Sequence, residues 1–543
     1  MNNRCFPLAL LLMAAFITPP QLHAQVRSSH EDTRVERARL ESLPHGDLGN
    51  GYFRNPVLVG PGSDNTVVRV GKDYYMVAGG GWPDQLIWHS RDLVNWRPVT
   101  RALRKFNGRA WASDITYDKG KFYIYTTQVD ERRGYKGPLN ISQRSLLGVP
   151  FKGQGDRAFM NVVLWAPDPA GPWSDLIDIG AYGLIDPGHV VDQEGNRRLY
   201  FNKGMTIRLA PDGLSTVGEL KQVYNGWEYP KDWVVECPCL EAPKLTYHNG
   251  YYYLSSAQGG TAGPSTAHMG VIARSKSAEG PWENSPFNPM VHTNSPDEKW
   301  WRQGHGTLID DIEGNWWFLY TGYENGYEYF GKQSLLLPVE WTADGWPRIK
   351  PGVTATDVLR KPAGEDVGHG MPLSDDFSSS ELGIQWTYGP GVSAGEAFRV
   401  GGDRLTVKAS GVSPLEAAWL GVMPVNHAYE VEVEVTVPET AEGGLLLGGR
   451  WMSRGEWATA GLRKGEAFAY WPRVPSAVAW KGNRIFVRMR NNRGDVSCYY
   501  SADGQRWTQF ENSTGGSQAR QVSLYAAGEG EVVFRRFKYR GLD

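Results

Sequence analysis

Five stretches of this chain repeat one pattern, and the repetition limits the folds that the chain can adopt. In each stretch a hydrophobic strand reaches a glycine turn and restarts as an aromatic-rich strand. The copies occupy 67–75, 115–125, 190–201, 245–253 and 308–320, with turns at Gly71, Gly120, Gly195, Gly250 and Gly314. Their spacing of roughly 45 to 75 residues overlaps that of propeller blades, each of about four short strands. The pattern therefore predicts a five-bladed β-propeller.

An acidic residue or a histidine precedes each copy: Asp64, Asp114, Asp186, Glu241 and His305. If the copies are arranged radially, these equivalent positions meet near one axis. Glycoside hydrolysis needs one carboxylic acid to protonate the leaving oxygen and one carboxylate to activate water or attack the sugar. A third acid can raise the pKa of the proton donor by like-charge repulsion. A lone Asp in a turn is usually a turn former, but the three equivalent carboxylates Asp64, Asp186 and Glu241 together predict an active site.

The chain divides into five segments by composition. Residues 1–24 combine one cation, an apolar run and a small residue before Gln25, which is typical of a secretory signal peptide. We therefore expect export to the periplasm or the extracellular space. A polar lead-in of residues 25–51 follows, then the propeller at 52–350, a linker rich in Pro and Gly at 351–372, and a second region at 373–543.

The second region has the pattern of strands packed on one face. Residues 430–437 alternate strictly between charged or polar and apolar side chains, and further strands are predicted at 485–490, 496–500 and 531–539. Period-two alternation with one charged face predicts a β-sandwich. No long amphipathic helical pattern occurs along the chain, so the sequence predicts an all-β protein.

Charge and cysteine content exclude several function classes. The 543 residues carry 57 Lys and Arg against 59 Asp and Glu, a formal net charge of −2, which gives no support for binding nucleic acid or an anionic membrane. No segment after the leader approaches the roughly 20 apolar residues of a membrane span. Beyond the leader only Cys237, Cys239 and Cys498 remain. This odd, sparse set argues against a disulfide framework. Cys237-Pro238-Cys239 could be a metal or redox pair, but no second Cys pair completes a zinc site, so we predict buried thiols near the site wall.

Ordered motifs add a family resemblance. They are Asn55-Pro56-Val57-Leu58, the run 89–96 that ends in Asn95-Trp96, Trp111-Ala112-Ser113-Asp114, Gly171-Pro172-Trp173-Ser174, Ile185-Asp186-Pro187, Glu241-Ala242-Pro243-Lys244-Leu245, the run 273–277, and Gly304-His305-Gly306-Thr307-Leu308. The stretch that holds them resembles the catalytic propeller of glycoside hydrolase family 43, whose members act mostly as exo-enzymes on arabinose- and xylose-containing plant cell-wall glycans. The region from about Leu373 resembles the concanavalin-like, jelly-roll sandwiches that accompany many of these propellers.

The resemblance implies catalytic roles. Asp64 corresponds to the general base, Asp186 to the residue that modulates the pKa of the donor and orients it, and Glu241 to the general acid. Enzymes of this kind invert the anomeric centre, which requires the base and the acid to stand roughly 6.5 to 9.5 Å apart so that a water fits between them. The resemblance also implies that His305 faces the central channel, where relatives often hold a hydrated calcium ion with a structural role.

Some positions depart from the family pattern or stand outside it. Asn65 and Thr66 follow the base where relatives commonly have Pro and Ser, so that the base assignment depends on register as well as on motif. Lys332 stands where relatives place a sugar-binding Arg; it offers a point charge without a bidentate fork. Trp82, Trp111 and Trp301 are candidates for stacking on a sugar ring. With Asp114 and Lys332, they complete the predicted substrate-binding set.

The sequence thus predicts an exported, inverting exo-glycosidase that removes terminal arabinofuranosyl or xylosyl residues from plant cell-wall polysaccharides and oligosaccharides. Two alternatives stay open. The same propeller could release galactofuranosyl or β-galactosyl ends, since Lys332 indicates an altered subsite. It could also have lost activity and bind glycans only, since the residues around Asp64 differ from the family pattern.

Overall fold

The structure is a computed structural model, and it describes residues 44–60, 64–78, 85–103, 109–129, 159–388, 394–448, 457–471, 474–516 and 521–543. The predicted signal peptide, most of the lead-in and Trp82 lie outside these residues. Within them the secondary structure consists almost entirely of antiparallel strands, as predicted. No described helix is long and apolar enough to cross a membrane.

Five sheets form the blades of a propeller, and in each the strands follow one another in chain order. Blade one is β2 (Thr66–Val70), β3 (Asp73–Val77), β4 (Leu86–Ser90) and β5 (Arg97–Arg101). Blade two is β6 (Arg109–Asp118), β7 (Lys121–Val129), β8 (Phe159–Ala166) and β9 (Ile177–Tyr182). Blade three is β10 (Gly188–Val191), β11 (Arg197–Phe201), β12 (Met205–Leu209) and β13 (Thr216–Gln222), with a 3-10 turn at Asn202–Gly204.

The other two blades follow the same plan. Blade four is β14 (Leu240–His248), β15 (Tyr251–Gln258), β16 (Met269–Ser275) and β17 (Glu283–Asn284), and β18 (Val291–His292) also pairs with β16. Blade five is β19 (Trp300–Asp310), β20 (Trp316–Glu324), β21 (Lys332–Trp341) and β22 (Pro347–Ile349), with a 3-10 turn at Glu328–Phe330. The five-bladed propeller is therefore confirmed.

The repeated sequence pattern is the hairpin of the first two strands of each blade. Its turn glycine has φ of 66° at Gly71, 79° at Gly120, 83° at Gly195, 82° at Gly250 and 84° at Gly314. Glycine adopts this left-handed conformation at little steric cost, which explains why it recurs. The first strands contact one another in the closed ring β2–β6–β10–β14–β19, so each repeat starts at the axis.

The segment before blade one closes the ring against blade five. The Val57 N–H donates to the Ser334 carbonyl over 2.9 Å, and the Ser334 N–H donates to Leu58 O over 3.1 Å. The Asn55 side chain both donates to Leu336 O (3.0 Å) and accepts from Leu336 N–H (2.8 Å). The motif Asn55-Pro56-Val57-Leu58 therefore joins the start of the propeller to β21 through hydrogen bonds.

The second region holds two seven-stranded sheets. One orders β24 (Thr387–Tyr388), β27 (Ala418–Val422), β36 (Val522–Gly528), β29 (Ala441–Leu447), β30 (Ala458–Arg463), β31 (Glu466–Trp471) and β32 (Val474–Ala479). The other orders β25 (Phe398–Val400), β26 (Leu405–Lys408), β37 (Glu531–Gly541), β28 (Ala428–Thr436), β33 (Arg484–Asn492), β34 (Asp495–Ser501) and β35 (Thr508–Gly516). A short helix, Ala394–Ala397, precedes β25. Apolar residues of both sheets form one buried core, as expected of a sandwich.

Residues 351–372 connect the two regions and run along blade one. Within them β23 (Leu359–Arg360) pairs with β1 (Tyr52–Phe53). The Lys361 ammonium lies 2.9 Å from the buried Asp92 carboxylate and also contacts Asp47. The segment predicted as a linker is thus held to the propeller by a strand pair and by charged contacts.

One histidine of the sandwich docks on blade five. His427 Nε2 lies 2.9 Å from Glu324 Oε2, and the His427 ring lies 4.0 Å from the Tyr327 ring. Glu324 is buried and also contacts Gln333 and Lys299. Residues from both regions therefore share one polar cluster.

Replacing His427 with Ala is expected to destabilise the folded protein by about 1–3 kcal/mol, because a buried carboxylate loses a hydrogen-bonding partner. His427→Gln, which keeps a donor, is the matched control and is expected to lose less. The midpoint of guanidinium chloride unfolding, followed by tryptophan fluorescence, measures both. Equal midpoints for the wild type and His427→Ala would show that the contact adds nothing to stability.

The prediction for the cysteine pair is wrong. Cys237 and Cys239 are half-buried and form a disulfide, with their Cα atoms 5.1 Å apart, whereas Cys498 is a buried thiol outside that bridge. The number and spacing of cysteines indicate whether a framework of disulfides joins distant segments. They do not predict a bridge between two cysteines only two residues apart. Such a bridge closes a local ring on the loop that leads into β14.

Candidate active site

The predicted polar residues lie where the five inner strands begin or bend. Asp64, Asp186, Ala242 and His305 all have φ between 51° and 59°, which is rare for residues other than glycine. Register shifts interrupt β6, β14 and β19 at the same level. Such strained positions cluster at functional sites because they aim side chains that a regular strand would not.

Asp64 is held between blades one and five. Its carboxylate contacts the Lys332 ammonium and lies 3.3 Å from His305 Nδ1. The residues that follow it are anchored on both sides: Asn65 Nδ2 donates to Ser334 Oγ over 2.7 Å, and Thr66 Oγ1 donates to Ser113 O over 3.1 Å. The Asn-Thr pair that departs from the family pattern thus fixes the orientation of Asp64.

The electrostatics keep Asp64 ionised. Burial alone would raise its pKa, but Lys332 and then His305 outweigh burial and lower the pKa to about 2. The Asp64 side chain stays 21% exposed, whereas that of Lys332 is 7% exposed. Asp64 can therefore reach a bound water from a carboxylate that is charged over the whole working pH range.

Asp186 and Glu241 form a second, adjacent pair of carboxyl groups. The Ala242 N–H, next to Glu241, donates to Asp186 Oδ2 over 3.1 Å, and the Asp186 N–H donates to Thr127 Oγ1 over 3.2 Å. Asp186 is buried at 7% exposure, whereas Glu241 is half-buried. Asp186 can therefore orient the Glu241 segment, while Glu241 remains open to a ligand.

This pair retains a proton where an ordinary carboxyl group loses it. Burial first, then the charges of Glu241 and Asp64, raise the pKa of Asp186 to about 8, and burial also raises the pKa of Glu241. Taken singly, these shifts would place the proton on Asp186. The hydrogen bond from the Ala242 N–H favours the ionised form of Asp186, however. We therefore assign the shared proton to Glu241, where the side chain is accessible.

Asp114 is buried, and both of its carboxylate oxygens have partners. Asp114 Oδ1 lies 3.1 Å from the Lys244 ammonium, and Asp114 Oδ2 accepts from the His189 N–H over 2.6 Å. Lys244 also donates to Pro187 O over 3.0 Å. Asp114 and Lys244 therefore connect blades two, three and four, and a contact of Asp114 with substrate stays a prediction.

His305 was predicted to face an axial ion, and its surroundings do not fit a calcium site built of protein ligands. Its Nε2 atom is buried without a hydrogen-bond partner. Ca²⁺ takes six to eight oxygen ligands, yet among the described residues no group of three or more His, Cys, Asp or Glu side chains could hold a metal. The hydrated calcium ion that the family resemblance implies stays a prediction, and the chemistry below does not depend on one.

The structure describes two of the three tryptophans that were predicted to stack on a sugar. Trp301 is half-buried and pairs across β19 and β20 with Tyr323, which pairs in turn with Lys332. Directly opposed residues share a face, so Trp301 lies roughly 10 Å from Lys332 on the same side of the blade. Trp111 is half-buried and opposes Thr127, whose hydroxyl contacts Asp186. Trp82 lies outside the described residues.

Sequence reasoning assigned no role to Lys244 or His268. Lys244 lies within the quoted motif that starts at Glu241, and a cation three residues after the predicted acid was the available signal. His268 is buried, and its Nδ1 atom lies 3.0 Å from Arg302 O. A Cβ atom at Gly304 would approach the His268 ring to 2.6 Å, which explains the glycine before His305. No local pattern marks His268.

Replacing Lys332 with Met is expected to raise the pKa of Asp64, because burial then acts without its main opposing charge. A base whose pKa rises is protonated at higher pH, so the acidic limb of kcat/KM moves to higher pH. Lys332→Arg keeps the charge and is the control. The pH profile measures both, and an unmoved acidic limb in Lys332→Met would show that Lys332 does not control the base.

Replacing Asp186 with Asn is expected to move the basic limb of kcat/KM to lower pH. The acid must be protonated, so activity is lost as the pH rises through its pKa. Without the neighbouring negative charge Glu241 loses its proton earlier. Asp311→Asn, at a buried Asp in the turn at the far end of β19, is the control. A basic limb that stays in place would remove Asp186 as the modulator.

Comparisons with known proteins agree with this geometry. The profile of Glycosyl hydrolases family 43 matches residues 53–347, more than half of the chain, and the chain belongs to this family. It is 31% identical over 366 residues to the non-reducing end alpha-L-arabinofuranosidase BoGH43B of Bacteroides ovatus, covering 63% of this chain and 62% of that protein. It is 28% identical over 350 residues to the xylan 1,3-beta-xylosidase of a Vibrio species, covering 57% of this chain and 59% of that protein.

A solved structure shows the same fold. The BlXynB protein of Bacillus licheniformis superposes with a TM-score of 0.76 at 24% identity, covering 90% of this chain and all of that one. By sequence, the chain spans about three fifths of the length of the curated relatives above.

Proposed function

We propose that this protein is an inverting exo-glycosidase that removes terminal arabinofuranosyl or xylosyl residues from plant cell-wall polysaccharides and oligosaccharides after export. The observation that carries the proposal is the opposite tuning of two accessible carboxyl groups. The pKa of Asp64 is lowered to about 2, and that of Glu241 is raised. Glycoside hydrolysis requires one carboxyl group that stays protonated as the acid and another that stays ionised as the base, so their pKa values must differ. The names of the relatives support the sugars and the non-reducing end.

The proposed reaction takes place in one step. A water between Asp64 and the sugar attacks the anomeric carbon and gives its proton to the Asp64 carboxylate. At the same time Glu241 donates its proton to the glycosidic oxygen, and the bond from the anomeric carbon to that oxygen breaks. The products are a free sugar of inverted configuration and the shortened glycan, and proton exchange with solvent restores both carboxyl groups.

Asp186 and Lys332 support this step without reacting. The ionised Asp186 holds the Glu241 segment through the Ala242 N–H, and the repulsion between the two carboxylates favours the state in which one of them keeps a proton. Lys332 keeps Asp64 ionised until the water gives up its proton. Lys332, which stands where relatives place a sugar-binding Arg, therefore pairs its charge with the base Asp64.

A panel of arabino-, xylo- and galacto-oligosaccharides tests the proposal. Release of single arabinose or xylose units from the non-reducing end, with the remaining chain shortened by one, is the expected result. Release of galactose alone would shift the assignment to a galactosidase of the same fold. Calorimetric binding with no turnover of any substrate would indicate a glycan-binding propeller.

A further inference from the structure

The outward face of the second sandwich sheet carries a dense array of charges. Strand β28 contributes Glu430, Glu432 and Glu434, strand β33 contributes Arg484, Arg488 and Arg490, and strand β37 contributes Arg536, Lys538 and Arg540. The alternate residues of these strands, such as Val431, Val433 and Val435, point into the sandwich core. The charged side chains therefore share the face that turns away from the core.

Each glutamate on this face is shared between at least two cations, and Glu430 also lies 3.8 Å from Arg488 Nε. Glu430 lies 2.9 Å from Arg490 Nη2 and also contacts Arg540. Glu432 lies 2.7 Å from Arg488 Nη2 and 3.1 Å from Lys538 Nζ.

The third glutamate repeats the arrangement: Glu434 lies 2.9 Å from Arg484 Nε and 3.9 Å from Arg536 Nη1. Three negative charges thus meet six positive ones, which leaves an excess of three positive charges on the ladder.

The cations of β37 lie outermost. The side chains of Glu430 and Glu434 are 5% and 6% exposed, whereas those of Arg536, Lys538 and Arg540 are 64–66% exposed. One arginine for each glutamate would satisfy the buried carboxylates. The second cation at each position adds repulsion between like charges. The whole chain has a formal net charge of −2, so the local excess does not come from a basic composition.

The shape of the array indicates an extended anion. Side chains two residues apart on a strand are about 6.6 Å apart, and β33 and β37 each lie about 4.8 Å from β28, so the cations form a grid of two rows about 10 Å apart. A small anion such as phosphate needs donors that converge on one point. The Arg488 guanidinium lies 4.0 Å from the centre of the Trp507 ring, which adds a half-buried aromatic surface to the grid. Aromatic rings pack on the apolar faces of sugars.

We propose that this face, defined by the six cations and Trp507, binds polysaccharide chains that carry uronic acid carboxylates. The choice of a polysaccharide over other polyanions rests on the proposed function, in which the propeller acts on cell-wall glycans. The face holds the protein on the charged polymer while the propeller removes neutral terminal sugars. Binding is electrostatic and weakens with salt.

The test is binding of the full chain to polygalacturonate and to the same polymer after reduction of its carboxyl groups, measured by affinity electrophoresis. Wild type is expected to bind the charged polymer and not the reduced one. The double variant Lys538→Ser/Arg540→Ser is expected to bind on the order of tenfold more weakly. The matched control Arg463→Ser/Lys464→Ser removes two exposed cations from the other sheet and is expected to bind like wild type.

Three outcomes would overturn the proposal: equal binding to the reduced polymer, equal weakening in the control variant, or equal affinity for duplex DNA and for vesicles of phosphatidylglycerol. Hydrolysis of small aryl glycosides is measured for every variant and is expected to stay unchanged. That assay tests the proposed function and the binding assay tests the charged face, so that the two can fail separately.

Discussion

Glu241→Gln is expected to lower kcat/KM on natural oligosaccharides on the order of 10³- to 10⁴-fold, while hydrolysis of 2,4-dinitrophenyl glycosides falls by about tenfold or less. The amide cannot donate the proton that a sugar alkoxide needs to leave, whereas dinitrophenolate leaves without one. Side-chain size is kept, so that substrate binding and folding should change little. The contrast between the two leaving groups, and not the loss alone, identifies a general acid.

Parallel steady-state assays of both substrates measure the contrast. Thermal unfolding of Glu241→Gln serves as the folding control. Equal losses on the two substrates would remove Glu241 as the proton donor. The result would then direct attention to Asp186, whose pKa is also raised.

Asp64→Asn is expected to lower kcat/KM on the order of 10³-fold on both substrates alike, because activation of water is needed whatever the leaving group. The variant also leaves the buried Lys332 without its carboxylate partner. A loss of stability is therefore expected and has to be measured separately. Thermal unfolding of Asp64→Asn and of Asp64→Asn/Lys332→Met isolates that stability effect, because the double variant has no unpaired ammonium.

The pattern of losses across substrates decides the role of Asp64. A loss confined to natural oligosaccharides would assign proton donation to Asp64 and reverse the proposed roles. A rise in KM with kcat unchanged would indicate that Asp64 only binds the substrate. Equal losses in kcat on both substrates support the general base.

The repeated hairpins made the propeller predictable, because a Gly turn between an apolar strand and an aromatic strand occurs once in each blade. The polar residue before each repeat located the ring of inner strands. The pattern could not separate their roles, since those depend on contacts between blades. Asp114 is engaged by Lys244 and by the His189 N–H, and Asp64 is engaged by Lys332 and His305.

Other features depend on residues that no local pattern connects. Lys332 reaches Asp64 across 268 positions of sequence, and His427 of the sandwich reaches Glu324 across 103. The Cys237–Cys239 bridge was missed for the opposite reason, because it is so local that counting cysteines does not reveal it. Sequence alternation predicted the charged face of β28, but the cations around each glutamate come from β33 and β37, and placing them required the sheet order.

The central claim is that Asp64 and Glu241 act across the axis as base and acid of a single displacement. Proton NMR of the first sugar released from an aryl glycoside, recorded before mutarotation, tests it most directly. We expect the anomeric configuration of the released sugar to be opposite to that of the substrate. Release of the retained anomer would contradict it, because retention requires a covalent glycosyl intermediate on one of these carboxylates.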